Sequence, residues 1–354
     1  MTLLRDVARY AGVSTATVSR VLNSPEKVSA PTRAKVIAAI SKLGYRPNRV
    51  ARRLSGRKDA ARMISLIIPD IQNPFYSFVA RGVEDVANQN DCTLILGNAD
   101  GNASKEETYL NVVRAESVDG IIAPPIDQSK DSIVVRLVQE GIPVVSIDGP
   151  LHHVEVDSVY VDNMKGSAEA VQYLIQLGHH RIAILCGPLN YLGFKERFGG
   201  YKQAMAANQI PLVERYLKFG QSSQEMGRIL AEELLALETP PTAIFTSDNL
   251  FTAGAMEAMY SLGLSIPNDV SIIGFDDIPV MRSYNPPLTA VRQSAYNLGN
   301  TAAELLFERI KHPGRKSEKI ILEPELIVRD SCGSVPENHI HPINRDDGEK
   351  KRRV

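Results

Sequence analysis

Through the first 43 residues apolar positions recur at helical spacing, and beyond residue 62 they gather into short continuous runs separated by amphipathic stretches. Val7, Ala8, Ala11, Val18, Val21 and Leu22 give two short helices within Leu3 to Leu22 one shared apolar seam. Gly12 stands where the chain must turn through positive φ, and Ser14 follows at the N-cap of the second helix. Thr15, Ala16, Ser19 and Arg20 fall outside the seam on one outward face. Ser29 to Leu43 predicts a third helix, with Pro31 in its first turn, Val36, Ile37, Ile40 and Leu43 as the buried stripe, and Gly44 as the stop. After an extended break at Tyr45, Arg46 and Pro47, Asn48 caps a short helix from Arg49 to Leu54 that Ser55 and Gly56 end. Such a short helix carrying Arg49, Arg52 and Arg53 is poorly stable alone, so a binding partner is expected to order it.

From residue 63 the runs have strand length: MISLIIP (63–69), CTLILG (92–97), GIIA (120–123), PVVSI (143–147), RIAILC (181–186), AIFT (243–246) and VSIIGF (270–275). Continuous apolar strands joined by helical crossovers predict parallel sheets covered on both faces, and the length of the series predicts an α/β body of two doubly wound lobes. The chain's 354 residues exceed what one core usually holds. The tail beyond Ser331 is polar and is expected to be disordered.

Charge divides the chain. Residues 1–62 hold 14 Lys and Arg against 3 Asp and Glu; of the totals of 40 and 41, this leaves 26 against 38 for the remainder, so a head of +11 is joined to a body of −12. A basic head on an acidic body fits a protein whose head alone meets phosphate. On the outward face of the second helix, Thr15 and Ala16 are small enough to touch a thymine methyl, and Arg20 can grip guanine through two hydrogen bonds. Sequence-specific binding in the major groove is therefore expected. No run of 18 apolar residues is present, and the first 30 residues carry Arg, Asp and Glu where a secretory signal needs an apolar core, so a cytoplasmic location without membrane contact is expected. Cys92, Cys186 and Cys332 are widely spaced and form no CxxC pair. Neither metal nor cofactor is indicated. GxSxG, GxxxxGK[ST] and HExxH are all lacking, and the adjacent pairs His152-His153 and His179-His180 are not spaced for a zinc helix, so an enzyme is not expected.

Ligands of doubly wound sheets bind beyond the carboxyl ends of the strands. There the sequence places Asp70, Asn98 and Asp100, Asp148, Asp248 and Asp276. Any one of these Asp residues could instead be a helix N-cap at such a turn, Asp248 above all because it precedes a good helix, and Asp276 least. Several carboxylates with Arg197 and one or two aromatic faces suit a compact polyhydroxylated ligand.

The stretch DVARYAGVSTATVSRVLN, followed by VSAPTRAKVIAAISKLGYRPNRVARRL, resembles the LacI/GalR family of bacterial transcriptional regulators, and later motifs extend the likeness to about residue 330. The resemblance implies a helix-turn-helix DNA-binding domain over 1–46, a hinge helix and linker over 47–62, and a periplasmic-binding-protein-like body over 63–331. Its first lobe would take 63–160 and 293–322 and its second 162–290 and 323–331, with one final strand, ILEPELIVRD, spanning both and a tail over 332–354. It implies DNA contacts by Thr15, Ala16, Ser19, Arg20, Asn48, Arg52 and Leu54, with Leu54 wedged into the minor groove. NPFY would place Asn73, Phe75 and Tyr76 on the ligand wall, and Arg197, Asp248, Asp276 and Asp148 match recurrent ligand contacts. Where many relatives carry an aromatic stacking wall this chain has Ser222, and it contains no Trp, so stacking falls to Phe75, Tyr76, Tyr191 or Phe194. A sugar is thus favoured over a purine or nucleoside. The expected partners are a near-palindromic operator duplex, a small effector and a second copy of the chain. A DNA-binding activator without a small ligand is the remaining alternative.

Overall fold

The computed structural model describes residues 3–45 and 62–335, in two compact units. Asn48, Arg52, Leu54 and the expected hinge helix lie outside the described residues, as does the tail from residue 336.

In the first unit, α1 (Leu4–Ala11) ends at Gly12 with φ 66°, and α2 (Thr15–Asn23) begins at Ser14, whose hydroxyl accepts from the Thr17 amide at 3.1 Å. Gly12 is the residue without a Cβ that this left-handed turn favours. The third helix, α3 (Ala30–Leu43), closes the core with Val36 and Ala39 against Val7, Ala8, Val18 and Val21. Ile37, expected in the buried stripe, is instead 55% exposed. Positions 36, 39, 40 and 43 already form the i, i+3, i+4, i+7 face, and the next residue after Val36 is turned about 100° away from it.

The second unit contains two six-stranded sheets. β1 (Arg62–Ile68), β2 (Cys92–Asn98), β3 (Gly120–Ala123), β4 (Val144–Ile147), β5 (Asp157–Val161) and β11 (Lys319–Leu322) form the first, all parallel, in the order β11-β5-β4-β3-β1-β2. β6 (Ile182–Cys186), β7 (Leu217–Phe219), β8 (Ala243–Thr246), β9 (Ser271–Phe275), β10 (Thr289–Arg292) and β12 (Glu325–Ile327) form the second, in the order β12-β10-β9-β8-β6-β7, with only β12 antiparallel. Helices cover both faces of each. The first sheet lies between α4 (Pro74–Gln89) with α11 (Ala295–Lys311) and α5 (Ala103–Ala115) with α6 (Ile133–Gln139). The second lies between α7 (Asn163–Gln176) with α8 (Leu192–Ala207) and α9 (Gln224–Leu235) with α10 (Asn249–Ser261).

The chain crosses between lobes three times, at 161–163, 292–295 and 322–325. The single expected final strand is two strands, one in each sheet. Pro324 lies between them and, lacking an N–H, cannot continue a ladder. β5, β7 and β10 were not expected as strands. DSVYV, LKF and TAVR are short and mix polar with apolar residues, so their runs do not stand out. The expected tail boundary also moves: Gly333 N–H donates to Ser271 Oγ at 3.1 Å, Gly333 O lies 2.9 Å from His179 Nε2, and Val335 N–H donates to Leu177 O. Residues 332–335 are held because their backbone groups have partners on the second lobe.

α11 packs closely on α4 at Gly299, where a Cβ would lie 2.0 Å from Val79 O. Gly299→Ala is therefore expected to push the helices apart and cost about 1–3 kcal/mol, read as a lower denaturation midpoint of the body. An unchanged midpoint would show that the helix pair yields freely.

Candidate functional site

In the first sheet β1 lies between β2 and β3, and in the second β6 lies between β7 and β8. Connections therefore leave these strands in opposite directions, which opens a crevice at each set of carboxyl ends. The two crevices face one another across a cavity of about 490 Å³. Asp70, Asn73, Phe75, Tyr76, Asp100, Asp148, Tyr191, Arg197, Asp248 and Asp276 all line it. So do Ser222 and Phe194, together with Asn163, Gln293, Pro124, Pro125 and Gln221.

Arg197 is the buried cation of the cleft. Its Nε donates to Asn163 Oδ1 at 2.8 Å and its Nη1 to Ser247 O at 2.6 Å, while the guanidinium carbon lies 3.9 Å from the centre of the Phe275 ring. Nη1 is also 4.0 Å from Asp276 Oδ2. Nη2 makes no hydrogen bond among the described residues. Asp276 sits just past β9 at φ 76° and accepts from Gln293 Nε2. Across the cleft Asp148, just past β4 at φ 61°, accepts from the Tyr76 hydroxyl at 2.9 Å. Both are non-glycine residues in the left-handed region, a strain that surrounding contacts must hold.

Asp248 is the N-cap of α10, accepting from Phe251 N at 2.8 Å, and it also accepts from the Ser222 hydroxyl. Its capping role and its place on the cavity wall coexist. Asn73 caps α4 and accepts from Asn249 Nδ2 at 2.8 Å, a bond between the lobes; Tyr191 makes a second by donating to Gly101 O at 2.8 Å. Asp70 and Asp100 stand at the rim. Asp70 accepts from Gln72 N at 2.8 Å, and Asp100 is paired with Lys105, which holds its carboxyl below the usual range. Phe75 is 5% exposed and belongs mainly to the first lobe's core, edge-on to Tyr76.

Three enclosed carboxyls therefore share one guanidinium. Burial pushes Asp148 and Asp248 up to about 6 and raises Asp276, with Arg197 opposing the shift in each case. Burial raises the Tyr76 phenol as well, and Asp148 beside it adds to the shift. Asn163 and Gln293 were not anticipated. They follow β5 and β10, strands too short and mixed to be recognised in sequence, although a polar residue just past a strand was the signal that found the Asp residues.

In the first unit Thr15, Ala16 and Arg20 are exposed and Ser19 is half-buried, so all four border the outward face of α2. Among the described residues no His, Cys, Asp and Glu group could hold a metal, and no helix is long and apolar enough to cross a membrane.

Residues 3–48 match the family model described as bacterial regulatory proteins, lacI family, and residues 61–329 match periplasmic binding proteins and sugar binding domain of LacI family. The chain is 33% identical over 331 residues to the HTH-type transcriptional repressor PurR of Vibrio parahaemolyticus serotype O3:K6, covering 94% of this chain and 98% of that protein. A lac repressor dimer bound to operator and the anti-inducer ONPF superposes with a TM-score of 0.73 at 29% identity, over 94% of this chain and 99% of that one. The transcriptional regulator CelR in complex with cellobiose gives 0.69 at 29% identity, over 94% and 100%.

The raised carboxyls predict a pH dependence. Folded Asp148 holds its proton more tightly, with a pKa of about 6 against an ordinary value of 3.8, so ionisation above pH 6 costs stability. Through such groups the unliganded body gains stability as pH falls from about 7 toward 4. Asp148→Asn keeps an acceptor for Tyr76 and tolerates φ 61°. With cavity water screening part of the cost, it is expected to stabilise the unliganded protein by on the order of 1–2 kcal/mol at pH 7.5, fading near pH 4.5. A melting temperature at or below wild type at pH 7.5 would contradict this.

Proposed function

The chain belongs to the lacI family of bacterial regulatory proteins, and from that premise we propose that it represses genes for uptake or breakdown of a carbohydrate, with its operator affinity set by an uncharged sugar in the interlobe cleft. That it is a ligand-responsive DNA-binding transcriptional regulator follows from the family. The carbohydrate rests on the cleft.

The observation that carries it is the free Nη2 of Arg197 in a cavity that also holds Asp148, Asp248 and Asp276. Hydroxyls can donate to the carboxylates and accept from the guanidinium at once, which suits a polyol. A phosphate or carboxylate ligand would meet three carboxyls for one cation and lose more by repulsion than it gains. The cavity volume suits a mono- or disaccharide. The purine-repressor relative favours a second reading, a purine effector. Against it, Ser222 offers no ring, Phe75 is committed to the core, Tyr76 is tied to Asp148 and Tyr191 to Gly101 O, which leaves Phe194 as the ring on the wall for stacking. The complexes with cellobiose and with the lac anti-inducer are the kind of relative the first reading needs.

We assign effector contact to Asp70, Asn73, Tyr76, Asp100, Asp148, Tyr191, Arg197, Asp248 and Asp276, with Phe75 supporting the wall from behind. DNA contact is assigned to Thr15, Ala16, Ser19 and Arg20, joined by Asn48, Arg52 and Leu54 of the linker. The protein acts as a dimer on a near-palindromic site, in the cytoplasm, and catalyses nothing.

A thermal-shift series tests the effector. A sugar at about 100 times its Kd adds roughly 2.7 kcal/mol to stability, and the gain should vanish in Arg197→Ala. Stabilisation by hypoxanthine or guanine instead would move the assignment to the purine reading. For the head, Arg20→Ala should cost about 1–3 kcal/mol on selected sites while leaving random duplex almost unaffected. Equal losses on both would make Arg20 a phosphate contact.

A further inference from the structure

Of the three charged groups that the second lobe offers to a ligand, Arg197 and Asp276 are tied to segments that cross between lobes, while Asp248 caps α10. Asn163 stands at the first crossing and is 4% exposed; its Oδ1 accepts from Arg197 Nε at 2.8 Å, and its Nδ2 donates to Val161 O at 3.3 Å and Glu196 Oε2 at 3.2 Å. Gln293 stands at the second crossing, is 8% exposed, and donates through Nε2 to Asp276 Oδ1. Among the described residues the third crossing shows no such link: Glu323 pairs with Lys165 in solvent. Two buried amides thus connect Arg197 and Asp276 with the backbone about which the lobes must turn.

We propose that Asn163 and Gln293 are positioning residues that convert occupancy of the cleft into the angle between the lobes, Asn163 through Arg197 and Gln293 through Asp276. This rests on the effector reading above and says how that effector acts. A ligand drawn between Asp148 of the first lobe and Arg197 and Asp276 of the second pulls both charges toward the opposite wall. The amides are buried and short, so they transmit the displacement to 161–163 and 292–295, where the chain passes from one sheet to the other. A ligand moves such an equilibrium only by its differential affinity for the two lobe angles, and these two bonds are where the difference is registered. The exposed Lys165–Glu323 pair is screened by water and contributes little. It is the internal control.

The test uses the full chain, a duplex selected by the wild type from a random pool, and whichever of D-ribose, D-glucose, D-galactose and cellobiose most stabilises the wild type. Sugar affinity is measured by calorimetry, and duplex affinity with and without saturating sugar. In the wild type the sugar should change duplex affinity by about fivefold or more. Asn163→Ala and Gln293→Leu should reduce that change below about twofold while sugar Kd rises by less than about tenfold. Glu323→Gln should leave the change intact. If Asn163→Ala does not fold, Asn163→Ser is read in its place. Weakened sugar binding with a wild-type change in duplex affinity would overturn the proposal, leaving both amides as pocket lining. Equal loss in Glu323→Gln would also overturn it. A wild type that binds none of the four sugars brings down the effector reading and this proposal with it, whereas sugar binding without any change in duplex affinity brings down this proposal alone.

Discussion

One guanidinium among three enclosed carboxyls is the constraint on which the cleft depends. Without Arg197 the carboxyl ends of two sheets would face each other as like charges in a poorly hydrated space. With it, Asp276 is anchored 4.0 Å away, while Asp148 and Asp248 remain incompletely compensated and are pushed up to about 6. The cleft thus carries unfavourable electrostatics that the proposed hydroxyl-rich ligand would relieve. The same shortage of positive charge that makes the site costly also makes it selective, because an anion would deepen the imbalance.

That two sheets come to oppose their carboxyl ends follows from the order of strands along the chain, and much of this was legible in sequence. Seven apolar runs declared themselves, since strands buried on both faces need no polar alternation. The Asp residues after them were equally visible, because acidic residues just past apolar strands stand out. What stayed hidden was the material at the crossings. β11 and β12 mix polar with apolar residues as edge strands, while β5 and β10 are interior but carry Asp157 and Thr289, buried against Arg309 and the Arg329 amide; Asn163 and Gln293 are amides of a kind found on any surface. Only the fold shows that they are buried and whom they bind. Ile37 teaches the reverse lesson: an apolar residue beside a buried stripe is not necessarily in it, since one residue's rotation decides the face.

The head illustrates how far local rules reach. Gly12, Ser14 and Gly44 do in the structure what their chemistry prescribes, around a core of six buried residues. The +11 charge of residues 1–62 is a property of sequence and needs no fold to be read. The base contacts proposed for Thr15, Ala16 and Arg20 do need one, because they require these residues to stay outside the seam that Val18 and Val21 fill.

Both lobes of the body are discontinuous: the first sheet waits for α11 and β11, and the second for β12 and the clamp at 331–335. During synthesis the head, with a core of its own, can be complete long before residues 295–335 leave the ribosome. A chain interrupted before that point would carry a folded DNA reader and no finished cleft. Response to a ligand is therefore the last capacity the polypeptide acquires, and a prematurely ended chain is, in effect, a head without its sense organ.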